Sequence, residues 1–269
     1  MANSNPTSPL AASSGASSAH APDLIQALRA LYQRARCVFF DCDGVIFDSN
    51  GFKIEAMRRT LASHTPVEIA QMETHWRSNG GASRFVKFEH FYTQIAPHPD
   101  VSAATQQAAQ HFGAMSLEAY QTAEPIAEAI QLARTTGAER CHVVSGAAEA
   151  ELHSVFADKG IRRYFATIQG SPRPKHELVA KVLSEHGCAP GDALLIGDGA
   201  MDFRVSQELG IHFVYLAQFS EWTDARARIA GAQGVSVAET WADVLSALLP
   251  DPTAPPPSAD RSRRAESNR

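Results

Sequence analysis

Five short apolar runs punctuate the middle of the chain, at 37–41 (CVFFD), 140–146 (RCHVVSG), 164–170 (YFATIQG), 193–198 (ALLIGD) and 211–217 (IHFVYLA). Consecutive apolar positions predict strands buried on both faces, as in a parallel sheet. Between them the apolar spacing turns helical, at 126–137, 147–160, 176–187 and 201–210, and each of these stretches closes on a glycine. An amphipathic segment at 23–33 (DLIQALRALYQ) predicts an opening helix. Strand–helix–strand alternation implies right-handed crossovers and an α/β fold, a three-layer Rossmann-like sandwich around a parallel sheet. Ligands in such sheets bind beyond the carboxyl ends of the strands.

One interval breaks the rhythm. Residues 50–125 carry helical patterns at 53–64, 83–95 and 103–120, far more chain than one crossover needs. They read as a small helical cap domain inserted into the α/β core, placed to close a site from water. Phe85, Phe88, Phe91 and Tyr92, at helical spacing, read as the core of that cap. The core domain then comprises 23–49 and 126–249. Residues 1–22 are a Ser/Ala/Pro-rich leader without the positive start or apolar centre of a secretory signal, and 250–269 are a Pro-rich, then charged tail. Both are expected to be disordered.

Composition narrows the partners. The 269 residues are 44% hydrophobic and 20% charged, as in a globular protein, and the net charge of −5 argues against general nucleic-acid binding. No apolar run approaches the ~18–20 residues that span a bilayer, so no membrane partner is expected. Cys37, Cys42, Cys141 and Cys188 form no CxxC pair and read as reduced thiols of a cytoplasmic protein. The histidines show no HExxH or other metal spacing. The oligomeric state is not legible.

The chemistry gathers at the strand ends. The first run ends in Asp41-Cys42-Asp43-Gly44, the second in Ser145-Gly146, the third leads to a loop holding Arg173 and Lys175, and the fourth ends in Gly197-Asp198-Gly199 with Asp202 just beyond. Parallel neighbours would bring these edges into one crevice. Four carboxylates against one lysine would shift their own pKa values or recruit a cation. A hard divalent ion with oxygen ligands, Mg²⁺, answers that imbalance and lets the site accept a phosphate.

These residues resemble the four motifs of the haloacid dehalogenase superfamily: FFDCDGVIFDS at 39–49, HVVSG at 142–146, Lys175, and IGDGAMDF at 196–203. The resemblance spans about 37–217, and the place of the insert is similar to that of the helical-cap, β-phosphoglucomutase-like phosphatases. It implies that Asp41 is the nucleophile, forming an aspartyl-phosphate, and that Asp43 is the general acid/base. Mg²⁺ would be held by Asp41, the backbone carbonyl of Asp43, and Asp198. Ser145 and the amide of Gly146 would bind the phosphoryl group from just before a helix, together with Gly44. Lys175 would neutralise charge and Asp202 would orient it or a metal-bound water. Arg173 is the rival to Lys175. Gly199 stands where the family more usually has serine, which removes a hydroxyl that would aid the metal shell.

The expected activity is hydrolysis of a small phosphorylated metabolite, in particular a sugar phosphate. A phosphomutase uses the same motifs, and a non-catalytic binding scaffold is the alternative outside catalysis. Receiver modules carry their acidic pair before the phosphoacceptor and are set aside. Asp43 argues against dehalogenase chemistry and against Lys53 as an imine-forming lysine. Within the cap, Lys53 reads as a phosphate-facing or solvated cation. The stretch SNGGASRFVKF at 78–88 places Arg84 and Lys87 after a flexible Gly pair, as candidate substrate contacts. It bears a loose similarity to hydrolases of sugar-phosphate and surface-polysaccharide pathways.

Overall fold

The structure is a computed structural model and describes residues 21–250. Six parallel strands, β1 (Cys37–Phe40), β2 (Cys141–Ala148), β3 (Thr167–Ser171), β4 (Ala193–Gly197), β5 (His212–Leu216) and β6 (Val235–Ala238), form one sheet in the order β3-β2-β1-β4-β5-β6. The chain order reverses between β1 and β4, which makes their carboxyl ends the natural ligand crevice.

Strand alternation sends successive side chains to opposite faces. Val38 and Phe40 of β1, Leu194 and Ile196 of β4, and Val214 and Leu216 of β5 pack into one apolar cluster. Cys37, Phe39, Ala193, Leu195, Phe213 and Tyr215 pack into the other. Helices α1 (Ala21–Arg34), α6 (Ala127–Thr136), α7 (Glu149–Asp158) and α11 (Trp241–Leu248) cover the first face. Helices α8 (Lys175–Glu185), α9 (Ala200–Leu209) and α10 (Ala225–Ile229) cover the second. The expected α/β sandwich is therefore present.

Between β1 and β2 the chain builds α2 (Asn50–Thr60), α3 (Pro66–Ser78), α4 (Arg84–His90), a π-helical turn at Phe91–Ile95 and α5 (Val101–Thr122). These enclose an apolar cluster of their own, with Met57, Leu61, Met72, Trp76, Phe88, Phe91 and Phe112 at its centre.

The differences from the sequence reading are local. Phe88, Phe91 and Tyr92 are buried as expected, but Phe85 is 38% exposed. Helix α4 turns that position outward and gives way to a wider π turn at Phe91, so a single helical stripe over 83–95 does not persist. Strand β2 runs past a bulge to Ala148, which pairs with Ser171, so Ser145 and Gly146 belong to an irregular strand end and the helix begins only at Glu149. Strand β3 starts at Thr167, because Arg162–Tyr164 form a 3₁₀ turn. Helix α3, helix α10, strand β6 and helix α11 are not predicted by the sequence reading. The first and last carry full capping boxes, Thr65 with Glu68 and Thr240 with Asp243, which were legible signals. The edge strand β6 has no apolar run to reveal it, and its Val237 is exposed. Residues 21 and 22, assigned to the leader, already belong to α1, and the rest of the leader and tail lie outside the described residues apart from Pro250.

Candidate active site

The backbone leaves β1 at Asp41, whose amide still donates to Ile196 O at 2.9 Å and so stays in register with β4. Asp41 Oδ1 accepts from the Cys42 amide at 2.7 Å and lies 3.0 Å from Lys175 Nζ. Lys175, the first residue of α8, is buried and also donates to Asp202 Oδ1 at 2.6 Å. Arg173, the rival cation, is half exposed and faces Glu149 at 3.6 Å. Lys175 is therefore the cation of the centre. Asp202 takes a further bond from the Gly199 amide at 3.1 Å, which fixes it at the start of α9.

Asp198 ends β4. Its Oδ2 accepts from Asn50 Nδ2 at 2.7 Å, and its backbone oxygen accepts from Ser220 Oγ at 2.6 Å. Gly44, at φ +73°, is what lets this group approach: a Cβ there would stand 2.6 Å from Asp198 Cγ and 2.7 Å from Asn50 Nδ2. Burial and the charges of Asp41 and Asp202 push the Asp198 carboxyl far above its usual range. Burial and Asp202 raise Asp41 to about 7, against the pull of Lys175.

Asp43 behaves differently. Its carboxylate accepts from Lys53 Nζ in α2, from the Tyr120 hydroxyl in α5 and from Ser49 Oγ at 2.5 Å. Burial alone would raise this group, but the Lys53 charge and these hydrogen bonds outweigh it and hold the carboxyl below its usual value. The sequence tally counted one cation against four carboxylates. Lys53 is a second and Lys87 a third, so the carboxylates still outnumber the lysines around the cleft.

The oxygens that remain define what the centre can hold. Carboxylate oxygens of Asp41, Asp198 and Asp202 lie within 4.8 Å of one another. Asp202 is committed to Lys175 and Gly199, whereas Asp41 Oδ2 and Asp198 Oδ1 have no partner among the described residues. Two free, hard oxygens in a site with excess negative charge fit a divalent cation such as Mg²⁺.

The insert forms the roof. The main chain at Gly80–Ala82 lies directly on the strand ends: Gly80 O accepts from Met201 N at 3.1 Å. A Cβ on Gly199 would come within 2.7 Å of Gly80 C, and one on Gly146 within 2.9 Å of Ala82 C. The glycine at 199 thus makes room for the roof. Two further ties cross the cleft. Arg84 forms a two-pronged pair with Glu151 of α7 at 2.8 and 2.5 Å, with its guanidinium 4.9 Å from the Phe112 ring centroid. Arg77 Nη1 meets Glu221 at 2.6 Å. Arg84, read as a substrate contact, is therefore occupied by the protein itself. Lys87 lines the remaining cavity, together with Asp41, Asp43, Asp198, Lys53, Trp76 and Gly146.

Ser145 is buried at the β2 bulge, where its Oγ accepts from Ala147 N at 3.0 Å and no acceptor for its own hydrogen is present among the described residues. Sequence reasoning missed Ser49, Asn50 and Tyr120. The first two directly follow the Asp41–Asp48 stretch and were open to reading, whereas Tyr120 lies far along the chain and carries no local signal.

A doubly wound parallel sheet with a buried lysine between aspartates at its switch point is an α/β arrangement suited to hold an anionic group at the strand ends. The chain belongs to the haloacid dehalogenase-like hydrolase family, which matches residues 35–210. Solved structures agree in fold. A haloacid dehalogenase-like hydrolase from Streptococcus pneumoniae is 20% identical, with a TM-score of 0.62 over 80% of this chain and 98% of that one. A predicted phosphoglycolate phosphatase from Haemophilus somnus is 15% identical, with a TM-score of 0.60 over 79% of this chain and 97% of that one. CbbY from Rhodobacter sphaeroides, in complex with xylulose 1,5-bisphosphate, is also 15% identical, with a TM-score of 0.60 over 80% and 99%. Among curated proteins no match was found. Among the described residues no helix is long and apolar enough to cross a membrane.

Proposed function

We propose that the protein is a Mg²⁺-dependent phosphatase of a small phosphorylated metabolite, a sugar phosphate among the candidates, working through an aspartyl-phosphate in the cytoplasm. The observation that supports it most is Asp41 held beside Lys175 at the base of a cleft roofed by the insert. In this reading residues 50–125 act as a cap on a core formed by 23–49 and 126–249.

Asp41 Oδ2 and Asp198 Oδ1, with the backbone carbonyl of Asp43, would hold Mg²⁺. When bound, the ion neutralises phosphoryl oxygens and lets an anionic nucleophile approach an anionic ester. Asp41 attacks phosphorus, the bond to the leaving oxygen breaks, and the phosphoryl group rests on the Asp41 carboxylate. Lys175 favours the ionised form of Asp41 and faces the charge that develops, while Asp202 holds Lys175 in place. Ser145 has a hydrogen to donate to the phosphoryl oxygens and Gly146 lines the cavity beside it, whereas Gly44 stands against Asp198 and Asn50 with its amide donated to Phe47 O.

Asp43 delivers a proton to the leaving oxygen and later takes one from the attacking water. Its ionised, triply bonded state suits the second half of that cycle. Lys53 and Tyr120 both belong to the insert, so a roof that moves also loosens Asp43 and lets it carry a proton.

The test is phosphate release from a panel of phosphorylated metabolites with Mg²⁺, with chelator, and for Asp41→Asn. Metal-dependent release that falls to background in Asp41→Asn is expected. Turnover that survives Asp41→Asn would remove the nucleophile, and no release by folded wild-type protein on any ester would remove the phosphatase reading.

A further inference from the structure

The cations in and beneath the cleft are not equivalent. Lys175 is bonded to Asp41 and Asp202, Lys53 to Asp43, Arg84 to Glu151, and Arg77 to Glu73 and Glu221. Lys87 is the exception: it has no hydrogen bond and no ion pair among the described residues, yet it is only 5% exposed. Its Nζ lies 4.2 Å from the Trp76 ring centroid and opens on the cavity that holds the catalytic carboxylates.

Helix α4 keeps this lysine inside at the expense of apolar burial. Phe85 and Val86, the two residues before it, are 38% and 57% exposed. A solvated lysine and buried apolar side chains would be the cheaper arrangement, because an unpaired buried ammonium carries a large desolvation cost. The Trp76 face offsets part of that cost. Burial and the nearby Lys53 draw the ammonium down to about 7, against the pull of Asp43, Asp198 and Asp41 across the cavity. The cavity is also small, about 50 Å³ against the ~300–1,000 Å³ of sites for larger ligands, and suits a short carbon skeleton.

We infer that Lys87 receives a second anionic group of the substrate, so that the substrate is a short phosphate ester whose leaving portion carries a carboxylate or another phosphate. One anionic end lies on Asp41 and its cations, and the other reaches Lys87 in the roof. This inference rests on the phosphatase reading above and names the substrate class for it.

The experiment compares three esters with the full chain and Mg²⁺: ethyl phosphate with a neutral remainder, phosphoglycolate with a carboxylate, and propane-1,3-diol bisphosphate with a second phosphate. Wild-type kcat/KM should favour at least one doubly anionic ester over ethyl phosphate by about 30-fold or more, the scale of a buried charge pair. Lys87→Met should collapse that ratio, Lys87→Arg should retain most of it, and the identity of the preferred ester separates carboxylate from phosphate. A ratio that survives Lys87→Met, or no preference in the wild type, overturns the assignment while leaving the phosphatase reading intact. If no ester is hydrolysed, calorimetric titration of the same three into Asp41→Asn with Mg²⁺, with and without Lys87→Met, still decides it. Tighter binding of a doubly anionic ester that depends on Lys87 supports it, and equal or absent binding overturns it.

Discussion

The floor and the roof of the cleft treat charge in opposite ways. The floor gathers Asp41, Asp43, Asp198 and Asp202 at strand ends and contributes one lysine of its own, Lys175. The roof brings cations, and three of them, Lys53, Arg77 and Arg84, engage carboxylates of the other half. The floor is thus left electrostatically unfinished, whereas the roof is fastened by the pairs it makes. Asp41 and Asp43, two residues apart, show the contrast most directly. Burial carries Asp41 up to about 7, while roof partners hold the somewhat less buried Asp43 below its usual range.

The contrast can be broken from either side. The largest effect should come from the floor. Lys175→Met leaves buried carboxylates with no cation of the core, so urea unfolding of the metal-free protein at pH 7.5 should show a loss of roughly 3–5 kcal/mol. Added Mg²⁺ should restore part of it. An unchanged midpoint would mean that the floor tolerates its charge without Lys175.

Acid probes the floor's support next. His142 on β2 is fully buried, and burial with its neighbour His186 lowers its pKa to about 4. Between about pH 6.5 and 4 the unfolded chain binds a proton that folded His142 refuses, so stability falls as pH falls through that window. The contribution is about 2–3 kcal/mol, and His142→Gln should flatten the corresponding part of the unfolding free energy against pH. Identical slopes for variant and wild type would count against it.

The roof gives the smallest effect and the most local one. Arg84→Met removes a two-pronged pair and should cost about 1–2 kcal/mol in global stability. Hydrogen exchange should show faster opening at 79–86 with the core strands β1 and β4 as protected as before. Faster exchange spread evenly through the sheet would mean that floor and roof open as one.

The floor was far more legible in the sequence than the roof, for a physical reason. Parallel register forces neighbouring strand ends together, so residues at the ends of apolar runs predict their own assembly: Asp41, Ser145 and Asp198 need only the runs to be found, whereas Lys175, in the loop after the third run, is separated from Arg173 only by its burial beside Asp41 and Asp202. Roof residues are placed by helix packing, which local spacing does not encode. Arg84 was read as a ligand contact because nothing nearby in the chain points to Glu151, and Tyr120 was missed because its partner is Asp43, on the far side of the insert. Gly199 appeared as a lost hydroxyl, and only the closeness of Gly80 shows it as a space for the roof's main chain.

That glycine seam has a kinetic consequence. Backbone rests on backbone at Gly80–Gly199 and Ala82–Gly146, with no side chain between roof and floor along that seam. An ester would pass such a seam only when the roof lifts, and the expected outcome is a turnover set by that motion rather than by the chemical step. Across a series of aryl phosphates, maximal turnover would stay nearly level as the phenol becomes a better leaving group, and it would slow as glycerol thickens the solvent.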